Sequence, residues 1–98
     1  MDESLKDMLK HGRRFERVKT SIDGVFIRRI PQSRDEPACL VLEVNPIGRS
    51  GNPMNRVGSI IRNMDELNAI RAILSQESVD EIMVAIERAN RQSQPEHS

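Results

Sequence analysis

The pattern of hydrophobic and polar positions changes from a period of two to a helical period near residue 63. Before that point, four short segments have the character of β-strands, at about 14–21, 24–30, 38–44 and 56–62. After it, apolar residues recur three and four positions apart in two stretches, which begin after Asn63 and at Ser78. The pattern predicts an α+β fold (ββββα), in which a four-stranded antiparallel curved sheet is followed by one C-terminal helix or two.

The third segment, ACLVLEV at 38–44, has the strongest strand signal and is expected in the interior of the sheet. Six of its seven residues are apolar, and Glu43 is the exception. Alternation puts Glu43 on the same side as Cys39 and Val41. We expect Cys39 to be a buried, unreactive thiol, and Glu43 to pair with an arginine on a neighbouring strand.

The connecting segments contain turn and helix-start signals. Asp23-Gly24 predicts a hairpin between the first two strands. The segment 45–55, NPIGRSGNPMN, holds two prolines, two glycines and three asparagines, which predicts an irregular, exposed loop. Asn63, followed three positions later by Glu66, is typical of the start of a helix.

A chain of 98 residues is close to the usual size of one domain. We predict a short helix or a frayed arm at 1–13, a single ββββα domain at 14–92 and a disordered tail at 93–98. One helical layer covers only one face of a sheet, so a second copy is expected to cover the other. The sequence therefore predicts a homodimer.

Opposite charges are separated along the chain, although the net charge is zero. Residues 1–62 hold 12 Lys and Arg against 8 Asp and Glu, a balance of +4, and residues 63–98 hold 3 against 7, a balance of −4. A basic sheet favours an anionic partner. Alternatively, the two halves neutralise each other within a dimer.

Basic residues on the predicted strands and the 45–55 loop give the main indication of function. Lys and Arg along a sheet can follow a phosphate backbone, and an aromatic ring can stack on bases. Phe26 is the candidate ring, although it would serve equally well in the core. The alternative is that these cations are ordinary solvated surface. The candidate nucleic-acid-binding residues are Arg17, Lys19, Phe26, Arg28, Arg49, Arg56 and Arg62.

The sequence has no catalytic signature, and we expect no enzyme activity, no cofactor and no metal site. The two histidines, His11 and His97, lack metal-ligand spacing to other donors, and no nucleophile has a general base within a recognisable motif. No apolar run approaches the ~20 residues of a membrane span, and the acidic N-terminus is unlike a signal peptide. With Cys39 as the only cysteine, we predict a cytoplasmic protein.

Residues from about 24 to 90 resemble the positive-cofactor-four family of transcriptional coactivators. The similar segments are LVLEV, the polar Gly/Asn/Pro loop, RVGSII and the helix start NMDELNAIRAIL. Arg56 and Gly58 stand where the family has a basic residue and a glycine at the opening of its fourth strand. The resemblance implies a small ββββα domain that dimerises through its helices. It also implies binding of single-stranded DNA on a curved sheet, with contacts from strand lysines and arginines and from the loop after the third strand.

These features predict a non-enzymatic, homodimeric nucleic-acid-binding domain that prefers single-stranded DNA or RNA, with a transcription-related role implied by the resemblance. The alternative is a dimeric protein–protein interaction or structural module. Arginines that converge on one face would favour nucleic acid, whereas arginines paired with Glu43, Asp35 or Glu36 would count against it. Charge reversal at Arg28 or Arg56 is expected to abolish binding without unfolding the protein.

Overall fold

The computed structural model describes residues 1–92, so the tail predicted at 93–98 lies outside the described residues. The α+β fold predicted from the sequence is confirmed. The chain divides into two units, one formed by residues 1–63 and a helical unit that begins at Met64. The elements are α1 (Asp2–His11), β1 (Arg17–Lys19), β2 (Val25–Ile30), β3 (Cys39–Val44), β4 (Ser59–Ile61), α2 (Met64–Leu74) and α3 (Glu77–Gln92).

The four strands form one antiparallel sheet in the order β1-β2-β3-β4. The longest pairing joins β2 to β3 and runs from Val25 opposite Val44 to Ile30 opposite Cys39. β3 is therefore an interior strand, as its apolar composition predicts, and β1 and β4 form the two edges. Because successive connections alternate between the ends of such a sheet, the β1–β2 turn and the β3–β4 loop share one end.

The edge strands are shorter than the predicted segments at 14–21 and 56–62. Before β1, the amide of Glu16 donates to the carbonyl of Arg13 at 3.3 Å and turns the chain away from the ladder. After β1, the hydroxyl of Thr20 donates to the carbonyls of Ile22 and Val25. These hydroxyl bonds close the hairpin that Asp23-Gly24 predicts, in which Gly24 has a φ of +85°.

The described chain after residue 63 forms two helices rather than one. α2 begins directly after Asn63, as expected, and ends at Leu74, and α3 begins at Glu77. The intervening Ser75 donates its hydroxyl to the carbonyl of Ala72 at 2.8 Å. A serine hydroxyl that bonds the preceding turn competes with the helix ladder, which is consistent with a break at this point.

Buried side chains are few and lie in the unit formed by residues 1–63. The buried apolar residues are Met8, Phe26, Val41 and Ile61, and the buried polar residues are Glu43 and Asn45. Among residues 64–92, no side chain of either helix is buried. The expectation that Cys39 is buried is wrong: it is exposed, because it opens β3 beside the exposed β2–β3 loop.

Candidate nucleic-acid interface

Strand alternation and pairing bring several of the predicted binding residues to one side of the sheet. Arg17 lies opposite Arg28, Lys19 opposite Phe26, and Phe26 opposite Glu43. We refer to this side as the basic face. Among its residues are Arg17 and Lys19 of β1, Phe26 and Arg28 of β2, and Val41 and Glu43 of β3.

Glu43 is the centre of the basic face, and its side chain is completely buried. Its Oε1 accepts a hydrogen bond from Nε of Arg28 at 2.9 Å, and its Oε2 lies 3.5 Å from Nη1 of Arg17. The same Oε2 accepts the backbone amide of Gly58 at 2.7 Å. The expected pairing of Glu43 with cross-strand arginine is confirmed, and the carboxylate also ties the start of β4 to the sheet.

These contacts set the charge state of the carboxyl. Burial by itself raises the pKa of Glu43, but the hydrogen bonds from Arg28, the Gly58 amide and Asn45, with the Arg28 charge, outweigh burial. The pKa of Glu43 therefore lies below its ordinary value of 4.5. The group is an anion at neutral pH and cancels one of the cationic charges around it.

Asn45 extends the same network into the β3–β4 loop. Its amide nitrogen donates to Glu43 Oε2 at 3.2 Å and to the carbonyl of Asn55 at 2.8 Å, while its amide oxygen accepts the Asn55 amide at 3.0 Å. Asn45 thereby clamps the far end of the loop to the end of β3. Within the loop, an isolated bridge pairs Ile47 with Pro53. The loop is irregular, as predicted, but its base is held by buried hydrogen bonds.

Arg28 is a structural cation rather than an exposed binding group. Only 13% of its side chain is accessible, and its guanidinium is engaged by Glu43. A glutamate in its place would face the buried carboxylate, so charge reversal at Arg28 reports on stability and gives no clean test of binding. Arg28, and Arg17 at 3.5 Å from the same carboxylate, are thus glutamate-paired arginines of the kind expected to count against a nucleic-acid site.

Phe26 is also unavailable as an open stacking platform, because it is 4% exposed and the guanidinium of Arg17 lies over its ring at 4.8 Å. Arg17 itself remains 31% exposed at its side chain. The sequence left this ring open between base stacking and the core, and its burial favours the core. The geometry instead presents a guanidinium that the ring supports from beneath.

Additional cations precede β1. Arg13 and Arg14 are exposed, and the guanidinium of Arg14 lies 6.0 Å from the ring centroid of Phe15, which is 55% exposed. Together with Arg17 and Lys19 they form what we call the basic edge, residues 13–19 of the chain. It adjoins the basic face along the outermost strand.

The remaining predicted residues lie on other elements than β1 and β2. Arg49 and Arg56 are exposed positions of the β3–β4 loop, and Arg62 follows β4 directly. Since β1 and β4 are opposite edges of the sheet, Arg62 lies across the sheet from Arg17. Sequence proximity to a strand does not reveal which edge that strand will occupy.

A groove of about 470 Å³ lies between the β1–β2 hairpin and the β3–β4 loop. The hairpin lines it with Arg17, Lys19, Asp23 and the edge of Phe26. The loop contributes Ile47 and the segment 51–53. Of these lining residues, Arg17, Lys19 and Phe26 were among the binding residues predicted from the sequence, whereas Asp23, Ile47 and the segment 51–53 were not.

The sequence predicted an arginine partner for Glu43, but it did not predict the buried hydrogen bond between Glu43 and Asn45. Two polar residues spaced by two on an otherwise apolar strand must point to the same side. That spacing could have identified a buried polar network at the end of β3. The role of Asn55 has no comparable signal, because it depends on how the loop returns to the sheet.

Comparisons with protein-family models, with curated proteins and with solved structures found no match. In the part of the chain that the structure describes, no helix has the length and apolar character needed to cross a membrane. Residues 1–92 also contain no group of three or more His, Cys, Asp or Glu side chains placed to hold a metal ion.

Proposed function

We propose that the unit formed by residues 1–63 binds single-stranded nucleic acid through its basic edge and basic face, without enzymatic activity. The observation that supports this most strongly is the placement of Arg17 and Lys19 beside Arg13 and Arg14 along one edge of the sheet. Arg17 and Lys19, two positions apart on β1, can each approach a phosphate of an extended strand, and Arg13 and Arg14 add exposed positive charge in the turn before that strand.

The charge balance of this surface stays positive after the glutamate pairing is counted. On the basic face, Arg17, Lys19 and Arg28 give +3 and Glu43 gives −1, a balance of +2. Arg13 and Arg14 add +2 at the edge and Glu16 gives −1, so the whole surface has a balance of +3. The Glu16 carboxylate accepts the backbone amide of Arg13 at 3.0 Å, so it is engaged locally.

Preference for single strands follows from groups that can contact base faces. Phe15 presents an open ring, and Arg17 presents a guanidinium backed by Phe26. Unpaired bases stack on aromatic rings and on arginine planes, whereas the faces of paired bases in a duplex are already covered. The cytoplasmic location and the transcription-related role expected from the sequence are part of the same proposal.

The test is fluorescence anisotropy with a labelled single strand of about 20 nucleotides, compared with a duplex of the same length. Titrations at about 50 and about 200 mM salt should give an affinity that falls steeply with salt and favours the single strand. Replacement Lys19→Met should weaken binding and reduce the salt slope by about one, because one phosphate contact is lost.

The matched control is Arg34→Met, which removes an exposed cation from the β2–β3 loop at the opposite end of the sheet. This variant should bind as the unaltered protein does. Equal losses in both variants would mean that only the overall charge of the chain matters. Absence of binding at low salt would contradict the proposal.

The exposed apolar surface of the helices favours a second role, self-association. Ile82, Met83 and Ile86 of α3 are 60%, 48% and 46% exposed. An amphipathic helix with so much apolar surface in contact with water gains stability by covering it. We therefore include a homodimer formed through α2 and α3 in the proposal. Should nucleic acid fail to bind, the chain would be interpreted as a dimeric interaction module.

A further inference from the structure

Arg29 of β2 supports the part of the basic edge that presents Phe15, although it points away from the basic face. Neighbouring residues of a strand point to opposite sides of a sheet, and Arg28 belongs to the basic face. We propose that Arg29 is a positioning residue for the bound strand, which fixes the turn at residues 13–16 and thereby the Phe15 ring. This inference rests on the proposed function and adds to it a residue that acts through the ring.

Residues 13–16 form a tight turn between α1 and β1. The amide of Glu16 donates to the carbonyl of Arg13 at 3.3 Å, and the Glu16 carboxylate accepts the amide of Arg13 at 3.0 Å. Arg14 and Phe15 are therefore the two central residues of the turn, and both are exposed. Because central residues move with the turn that carries them, the position of this turn decides where the Phe15 ring lies.

The guanidinium of Arg29 connects this turn to the end of α1. Its Nε donates to the carbonyl of Leu9 at 3.1 Å, and its Nη1 donates to the carbonyl of Arg13 at 3.5 Å. The Leu9 carbonyl is among the last four of α1, which lack a partner within the helix, and a cation is favourable there. The backbone amide of Arg29 also donates to the carbonyl of Glu16 at 2.8 Å. Arg29 therefore joins β2, the end of α1 and the turn.

The aliphatic part of the Arg29 side chain is held as well. It passes close to Gly12, since a Cβ at that position would lie 3.0 Å from Cδ of Arg29 and would also meet the carbonyl of Met8. The glycine thus leaves room for the arginine beside the end of α1. A side chain that is restrained along its stem and at its head is suited to hold a neighbouring group in one place.

Arg28 also contacts the turn, but its replacement would not isolate this effect. Its Nη1 donates to the carbonyl of Phe15 at 3.4 Å, while its Nε is bound to the buried Glu43 carboxylate. A change at Arg28 therefore disturbs the buried network of the sheet. The described contacts of Glu43 do not include Arg29, so a change at Arg29 reports on the turn.

The experiment is a double-mutant cycle between Arg29 and Phe15, with binding of a labelled single strand of about 20 nucleotides measured by anisotropy. In the unaltered protein, Phe15→Leu should weaken binding about tenfold, because one base loses its stacking partner. In the Arg29→Met background, the same replacement should weaken binding by less than about twofold, because the ring is no longer held in place. Urea denaturation verifies that each variant is folded under the binding conditions, and a change in stability alone would leave the Phe15 effect at about tenfold.

Two further backgrounds serve as controls. Arg34→Met removes an exposed cation from the β2–β3 loop, and in that background Phe15→Leu should still weaken binding about tenfold. Arg29→Lys keeps the charge but has no planar fork to reach both carbonyls, so the Phe15 effect should be intermediate, at about threefold. Should Arg29→Met fail to fold, the cycle is carried out with Arg29→Lys.

The outcomes separate this inference from the proposed function. A tenfold effect of Phe15→Leu that persists in the Arg29 variants would overturn the positioning role. Absence of any Phe15 effect in the unaltered protein would also overturn it and would leave single-strand binding established. Failure of the unaltered protein to bind the single strand would overturn the proposed function itself and this inference with it.

Discussion

The two units of the chain differ in which side chains they bury. The unit formed by residues 1–63 encloses a charged carboxylate, Glu43, and an amide, Asn45, with no exposed surface on either. In the helical unit, no side chain among residues 64–92 is buried, and large apolar residues such as Ile82 and Leu74 are more than half exposed. The first unit therefore contains a buried network of polar contacts, whereas the second exposes apolar side chains to solvent.

The difference in charge follows the same division. Residues 1–63 have 12 basic and 8 acidic side chains, a balance of +4, because position 63 is an uncharged asparagine. The remainder of the chain balances at −4. An anionic ligand is therefore attracted to the first unit and repelled by the second. The proposed nucleic-acid binding and the proposed self-association therefore fall in different parts of the chain.

The largest expected effect comes from removing the buried charge. Glu43→Gln should lower the free energy of unfolding by about 3 to 5 kcal/mol, because Arg28 would lose its anionic partner in a buried setting. Urea denaturation followed by circular dichroism measures the change. Glu36→Gln, at an exposed carboxylate, should alter stability by less than about 0.5 kcal/mol. Similar losses in the two variants would show that the buried network does not stabilise this unit.

A methyl group at Gly58 tests how closely β4 approaches β3. A Cβ there would meet the carbonyl oxygen of Val44 and would lie 2.7 Å from the Cβ of Asn45. Gly58→Ala should cost about 2 to 3 kcal/mol and loosen the amide bond to Glu43. Gly48→Ala is the control, since its nearest neighbour is the flexible Met54 side chain at 3.3 Å. Thermal unfolding measures the stability of both variants. A Gly58→Ala variant as stable as the unaltered protein would contradict the described packing.

The proposed self-association through the helices is tested by a matched pair of variants on α3. Ile86 and Val84 are 46% and 48% exposed, but they lie roughly 200° apart around the helix. Ile86→Asp should weaken dimerisation by about tenfold or more, because it places a charge within the apolar stripe. Val84→Asp lies on the polar side and should leave the dimer intact. Sedimentation analysis measures the dimerisation of each variant. Dissociation of both variants, or of neither, would contradict the assignment of the apolar stripe of α3 to the dimer interface.

The smallest expected effect is the acid dependence of stability. The pKa of Glu43 is lower in the folded chain than the ordinary value of 4.5. The contribution of the Glu43 carboxylate to the free energy of unfolding is therefore complete above that pH. The contribution is lost as the pH falls through the lower folded-state pKa, at about 1.4 kcal/mol for each unit of pKa difference. Urea midpoints measured from about pH 7 to about pH 3 should decline, and the decline should be shallower in Glu43→Gln.

Local signals were enough to predict most of the fold. The apolar run around Val41, the turn at Asp23-Gly24 and the helix start after Asn63 each depend on neighbouring residues, and the structure agrees with them. The break between the two helices lies at Ser75, whose hydroxyl bonds the carbonyl of Ala72 and competes with the helix ladder. Propensity alone did not decide between one bent helix and two.

The candidate site was less predictable, because it depends on contacts between residues distant in the sequence. The sequence grouped Arg28 and Arg62 with Arg17, but Arg28 is neutralised by Glu43 and Arg62 follows the opposite edge strand. Phe26 was left open between base stacking and the core, and it is covered by Arg17. Exposure and pairing arise from strand order and register, and a list of charges along the chain contains neither.

The most direct test of the account is an NMR titration of the ¹⁵N-labelled full chain with an unlabelled single strand. Amide shifts are predicted at Arg17 and Lys19, in the β1–β2 turn and in the loop segment 51–53, with the helices of residues 64–92 largely unchanged. Shifts confined to α2 and α3 would contradict the assignment of binding to the basic edge and basic face. The absence of shifts throughout the chain at low salt would contradict nucleic-acid binding itself.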